Sequence, residues 1–207
     1  MAHKPDEVTA KNKDVQFISH PEGQFAARCV DVIDFGEKVE QFPGKPERLV
    51  AKCGIVFRTG ETNPETREYI DVVREFTVSM GEKSNLRQFL EAWRGKTYSD
   101  DEVESGAPLH KLCGIGAFIT IEQKKSAQGR TYANIRAIVG LPKQMAAAAP
   151  NADGYDRPEY LTERKKKYAE EAKSYRAKIN APMSKRGDDE GYEEFPGAQE
   201  GDDDLPF

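Results

Sequence analysis

The sequence predicts a mainly β fold: a five-stranded barrel with one helix between its third and fourth strands, then a second helix and a disordered acidic tail. Three observations predict it. Apolar and polar residues alternate in five separate runs between Gln24 and Leu141. The period switches once to that of a helix, over Leu86 to Trp93. Charge is segregated: residues 187–207 hold nine acids and no base, whereas residues 1–145 are balanced.

Residues 1–19 read as a polar N-terminal arm, and residues 20–145 as the barrel. In the first strand, Gln24 to Asp34, Phe25, Ala27, Cys29 and Ile33 share one parity. Phe35 to Pro46 carries Gly36, Pro43, Gly44 and Pro46 and reads as a long polar loop. Over Arg48 to Thr59, Leu49, Ala51, Cys53, Ile55 and Phe57 face one side, with Arg48, Lys52 and Arg58 on the other. A turn at Gly60 to Pro64 leads to a third strand, Arg67 to Val78, with Ile70, Val72, Phe76 and Val78 on its apolar face. Ser84 is placed to cap a helix carrying Leu86, Phe89, Leu90 and Trp93, and Gly95 to end it. A loop rich in acids follows. Gly114 to Glu122 then alternates Ile115, Ala117, Ile119 and Ile121 with Phe118 and Thr120. After a hairpin loop at Lys124 to Gly129, Arg130 to Leu141 alternates Ala133, Ile135, Ala137, Val139 and Leu141 with Tyr132, Asn134 and Arg136. Residues 146–186 read as a linker and a basic helix. Pro158 opens that helix, and its stripe is Leu161, Tyr168, Ala172, Tyr175 and Ile179. So polar a helix needs the barrel, a second copy or a partner to pack on.

The bulk properties narrow the function. The 207 residues are 37% hydrophobic and 32% charged, with a mean hydropathy of -0.76, so much of the chain is solvated. No apolar run approaches the roughly 20 residues of a membrane span, and residues 1–14 lack the apolar stretch of a secretion signal. The expectation is an intracellular protein with no membrane partner. Cys29, Cys53 and Cys113 are odd in number and far apart, which predicts reduced thiols and neither a disulfide framework nor a metal site. His3, His20 and His110 are equally scattered. No Gly-x-x-x-x-Gly-Lys-Ser/Thr loop is present, so neither ATP nor another cofactor is expected. Asp100, Asp101, Glu102 and Glu104 offer a metal-dependent nuclease as one alternative, but they share a single polar loop.

The element order, three strands, helix, two strands, is that of an OB barrel. Such barrels bind oligonucleotides on the outer surface of strands 2–3 and the adjoining loops. A single strand of DNA asks for cations along its phosphates and flat rings for its bases. The sequence offers Arg48, Lys52 and Arg58 on the second strand, Tyr69 on the third, and Arg130, Tyr132 and Arg136 on the fifth. Lys38, Phe42 and Lys45 lie in the first long loop, and Lys124 and Lys125 in the hairpin loop. These twelve residues are the candidate DNA-binding set.

The end of the chain carries the most specific signal: Asp202, Asp203 and Asp204, then Leu205, Pro206 and Phe207. This resembles the C-terminal tip of bacterial single-stranded DNA-binding proteins, which recruits replication and repair enzymes. In physical terms Phe207 offers a ring for an apolar pocket, Pro206 limits the freedom lost on binding, and the aspartates steer toward a basic surface. The body resembles phage-encoded single-stranded DNA-binding proteins of OB fold instead, through the segment Leu86 to Lys96, the step Arg130-Thr131-Tyr132-Ala133 and Leu141-Pro142-Lys143. A long Gly- and Gln-rich linker is missing, so tetramer assembly is not carried over, and the oligomeric state stays open. The resemblance implies a non-enzymatic protein of the host bacterial cytoplasm. It would coat single-stranded DNA with little sequence preference in phage replication, recombination or repair, and recruit partner proteins through its tail. A strand-annealing or adaptor protein of the replication machinery is the alternative.

Overall fold

The computed structural model describes residues 18–126 and 129–180. The expected N-terminal arm lies almost wholly outside the described residues, and the acidic tail lies outside them entirely.

Alternation produces five strands where five were expected: β1 (Gly23–Glu40), β2 (Arg48–Arg58), β3 (Val72–Thr77), β4 (Gly116–Lys125) and β5 (Thr131–Gly140). They form one antiparallel sheet in the order β3-β2-β1-β4-β5. The strand β1 is its centre. Residues 23–28 pair with β4, and residues 28–40 pair with β2. It is longer than predicted, because the stretch after Phe35 read as a loop continues the ladder to Glu40.

Two bulges bend β1, between Cys29 and Asp31 and between Asp34 and Gly36. Each inserts a residue and reverses the parity that follows. Ala27 and Cys29 face the main core as expected. Ile33, expected beside them, faces the opposite side with Phe35, and Val32 takes the inner position. Phe35 lies against Gly54, where an added Cβ would come within 2.6 Å of its ring. A third irregularity sits in β5 opposite Thr120 and Ile121. It leaves Ile135 and Ile138 buried and Val139 56% exposed, against the unbroken alternation expected there.

The sheet is open, not the closed barrel that was expected. The short strand β3 and the last strand β5 come together without a backbone ladder between them. In its place the Arg74 guanidinium donates to the Ile135 carbonyl at 2.6 Å. A long side chain fills the width that a ladder would have closed.

Helix α1 (Asn85–Arg94) plugs the concave side. All four predicted apolar residues, Leu86, Phe89, Leu90 and Trp93, are buried. Phe57 and Phe76 meet Phe89 with ring centroids 6.2 and 4.8 Å apart. The Trp93 indole donates to the Gly116 carbonyl at 3.0 Å, which satisfies its one polar atom. Gly95 ends the helix at a φ of 68°, in the left-handed region that favours glycine.

The acidic loop after α1 holds a short helix, α2 (Asp100–Ser105). The Ser99 hydroxyl accepts from the Glu102 amide while the Glu102 carboxylate accepts from the Ser99 amide, a capping box that starts the turn. The last helix, α3 (Glu159–Ile179), begins after Pro158 as predicted. It packs on the convex face of β1 and β2, burying Leu161, Tyr168 and Ala172. Ile33, Phe35 and Val56 meet Leu161 and Tyr168 in a second, smaller core. No helix among the described residues is long and apolar enough to cross a membrane.

Candidate nucleic-acid interface

The convex face of the sheet was expected to present free cations from β2. Arg48 stays exposed at the far end of β2, but Lys52 and Arg58 do not. Arg58 is 4% exposed and grips Asp71 with two hydrogen bonds of 3.0 Å. It also donates to the Asp153 carbonyl and lies 4.2 Å from the centroid of the Tyr69 ring. Lys52 is 7% exposed, 2.7 Å from Glu40 and 3.0 Å from the Thr77 hydroxyl. Both side chains are buried counter-ions, and the expectation that they face solvent is corrected here. The sequence pattern gave the right parity for both. What it did not contain is their enclosure by groups remote in sequence, Glu40 and Thr77 around Lys52 and Asp71 and Asp153 around Arg58.

The same face supplies the acids that seat α3. Arg157, in the turn before α3, donates to both carboxylate oxygens of Asp31, at 2.7 and 2.9 Å, and the Tyr155 hydroxyl joins them at 3.1 Å. The Tyr168 hydroxyl lies 3.1 Å from Glu75, and Arg164 lies 3.6 Å from it. Arg176 pairs with Glu37, and Tyr175 donates to the Glu47 carbonyl at 2.5 Å. Burial and the neighbouring carboxylates push the Tyr155 and Tyr168 hydroxyls up, so both stay protonated donors.

The open seam between β3 and β5 is different in character. A cleft of about 580 Å³ lies there, lined by Tyr69, Tyr132, Tyr160, Asn134, Arg74 and Arg164, among others. The three tyrosines are 49, 42 and 45% exposed, although each is a large ring. Each comes from a separate element. Tyr69 is fixed by a bridge to Thr62 in the connection before β3, where the Asn63 side chain accepts from the Glu65 amide and tightens the turn. Tyr132 stands on β5 opposite Lys124. Tyr160 stands on the first turn of α3. Arg58, stacked on Tyr69, holds that ring in place from below the surface.

Arg74, a partly buried cation, is less compensated than Lys52 or Arg58. Its guanidinium is close to the Phe76 and Phe89 rings, 5.1 and 4.9 Å from their centroids, and forms no ion pair with a carboxylate among the described residues. Burial lowers its pKa from the ordinary value, with Glu122 partly offsetting the effect. Two of the three acids lining the cleft are matched, Asp71 by Arg58 and Glu75 by Tyr168 and Arg164, while the Glu68 carboxylate has the Thr66 hydroxyl at 3.2 Å.

The other predicted residues fall into two groups. Lys124, Lys125, Arg130 and Arg136 are exposed around the β4–β5 hairpin that carries Tyr132, with Lys124 2.8 Å from Glu122. Phe42, Lys45 and Arg48 gather at the β1–β2 turn, with the Arg48 guanidinium 4.7 Å from the Phe42 centroid. Lys38 is half-buried nearby, 3.6 Å from Glu40 and 5.2 Å from the Tyr168 centroid. Arg48 and Arg58 stand at opposite ends of the 11-residue β2, roughly 33 Å apart at strand rise, so the turn group is not part of the cleft. Asp202 to Phe207 lie outside the described residues. Arg74, Tyr160 and Arg164 were missed by sequence reading, since a cleft between strands remote in sequence leaves no periodic trace.

Among the described residues no three His, Cys, Asp or Glu side chains cluster to hold a metal ion. Glu102, one of the acids weighed for a nuclease, is committed to α2. Its bond from Arg94 and the Ser99 amide hold its carboxyl down to about 2. Compared with known protein families, curated proteins and solved structures, the chain matches none.

Proposed function

We propose that this chain is a non-catalytic protein that binds single-stranded DNA with little sequence preference, on an OB-type barrel left ajar between β3 and β5. The observation that carries the reading is the convergence of three exposed tyrosine rings on one cleft, beside a hairpin bearing Lys124, Lys125, Arg130 and Arg136. Exposed rings are costly to leave in water, and stacking with a base is their natural use. Each stacked base is worth about 1–3 kcal/mol and needs no particular sequence. The connectivity supports the fold reading: β1 pairs with both β2 and β4, and a helix joins β3 to β4, as in the partly open barrels of that class.

The phage setting in replication, recombination or repair rests on the sequence resemblance. So does the recruiting role of Asp202 to Phe207, whose fitting partner is a replication or recombination protein with an apolar pocket rimmed by cations. The test is fluorescence anisotropy of the full chain with oligothymidine, a duplex and a matched RNA across a salt series. Oligothymidine should bind best, with log affinity falling linearly in log salt. Failure to bind oligothymidine at low ionic strength would overturn the reading.

A further inference from the structure

Arg74 is a cation in want of an anion. The Ile135 carbonyl lies across the seam and the faces of Phe76 and Phe89 lie on its own side, none carrying a formal charge, and Glu122 acts on it without forming an ion pair. A guanidinium taken partly out of water without a carboxylate is costly. It opens instead onto the cleft that holds Tyr69, Tyr132 and Tyr160. An anion linked to flat rings would satisfy all four side chains together, and a nucleotide strand is that ligand. The convex face of β1 and β2 offers nothing similar, since its acids Asp31 and Glu37 and its cations Lys52 and Arg58 already have partners.

Resting on the single-strand reading above, we infer that Arg74 receives a backbone phosphate, and that the strand passes over the β3–β5 seam instead of across the convex face of β1 and β2. One wall of this path is the first turn of α3, which contributes Pro158, Tyr160 and Arg164. The C-terminal helix is therefore part of the binding site as well as a cover for the sheet.

The test compares full-length wild type with Arg74→Gln, and with Lys111→Gln as an exposed surface control, by anisotropy with oligothymidine over a potassium chloride series. Losing one phosphate contact should reduce the log–log salt slope by about 0.7. Affinity at low salt should fall about tenfold or more, the worth of one charge-assisted hydrogen bond. Lys111→Gln should change neither. A wild-type slope and affinity in Arg74→Gln overturns the inference and leaves the single-strand reading standing, whereas failure of the wild type to bind removes both. Circular dichroism reports whether Arg74→Gln has folded. Should it not fold, Arg74→Lys decides in its place. An ammonium cannot reproduce the planar fork, so weaker binding by a folded Arg74→Lys supports the inference and wild-type affinity overturns it.

Discussion

The convex face under α3 and the seam between β3 and β5 are made of the same residue types, and they differ in whether those residues have one another. On the convex side, Arg58 has Asp71, Lys52 has Glu40, Arg157 has Asp31 and Arg176 has Glu37. At the seam, Arg74 has a carbonyl, and the rings of Tyr69, Tyr132 and Tyr160 stay exposed, Tyr69 with one face on Arg58. The lesson is that an arginine or tyrosine on the outer parity of a strand says little about binding until its partner is known. Paired groups hold the fold; unpaired ones are left over for a ligand.

The sharpest way to break this comparison is to remove a paired cation. Arg58→Ala leaves the Asp71 carboxylate, whose side chain is only 10% exposed, without its bidentate partner. A buried pair broken on one side costs about 3–5 kcal/mol. Urea unfolding of Arg58→Ala should show a loss of that size, while Arg136→Ala, on an exposed position of β5, should stay within about 0.5 kcal/mol of wild type. Equal losses in the two variants would erase the distinction between the regions.

Next in size is the loss of an unpaired ring. Tyr132→Ala should weaken oligothymidine binding by about 1–3 kcal/mol. Its unfolding free energy should move by no more than about 0.5 kcal/mol, because a surface ring contributes little to the core. Anisotropy and urea titration on the same preparation separate the two effects. Full affinity in the variant would take Tyr132 out of the site.

These two residues also show how far the sequence could be read. Tyr132 and Arg58 were both assigned outer parity, and both have it. Alternation fixes the side of a strand, and it placed Cys53, Ile55 and Phe57 of β2 in the core as expected, whereas Ala51 is exposed. The apolar stripe of helix α1, Leu86, Phe89, Leu90 and Trp93, and its stop at Gly95 were legible, whereas the Ser84 hydroxyl donates to the Ser79 carbonyl and does not cap the helix. Parity failed beyond Val30 in β1 and beyond Arg136 in β5. One extra residue at a bulge reverses every later side chain without changing composition. The acidic stretch expected as a loop holds α2 at Asp100–Ser105, and Ser99 with Glu102 spell its capping box in the sequence. What lay beyond reach was tertiary: that Glu40 and Thr77 would enclose Lys52, and that Arg74, Tyr132 and Tyr160 would meet at an unclosed seam.

A smaller effect tests the seating of α3. The Arg157–Asp31 pair has an arginine side chain 39% exposed, so solvent screens it and its worth is about 1 kcal/mol or less. Arg157→Ala should therefore leave the global unfolding midpoint almost unchanged and speed amide exchange in α3 alone. If Tyr160 and Arg164 form one wall of the cleft, the same variant should weaken DNA binding slightly. Faster exchange across β1 to β5 as well would mean that the helix and sheet open as one unit, and the two regions could not be treated separately.

The smallest effect concerns His20, which lies at the edge of the cleft and is 1% exposed. Its Nδ1 lies 2.8 Å from the Pro21 carbonyl, so that nitrogen carries the proton, and Nε2 accepts from the Thr59 hydroxyl at 2.6 Å. This is the neutral ring. Burial lowers its pKa, with the Pro21 carbonyl, Glu61 and Asp71 opposing in that order. In the unfolded chain the ring protonates near its ordinary value of about 6.5. Below that pH the unfolded state binds a proton that the folded state resists. The contribution of His20 is therefore complete above the unfolded value and is lost as pH falls through the folded one. Between pH 7 and pH 5 the wild-type urea midpoint should drop relative to that of His20→Gln, which has no titrating ring there while the carboxylates titrate alike in both proteins. A wild-type midpoint that rose relative to the variant would mean that Glu61 and Asp71 outweigh burial. This edge of the cleft would then hold net negative charge and would repel the phosphates it is proposed to receive.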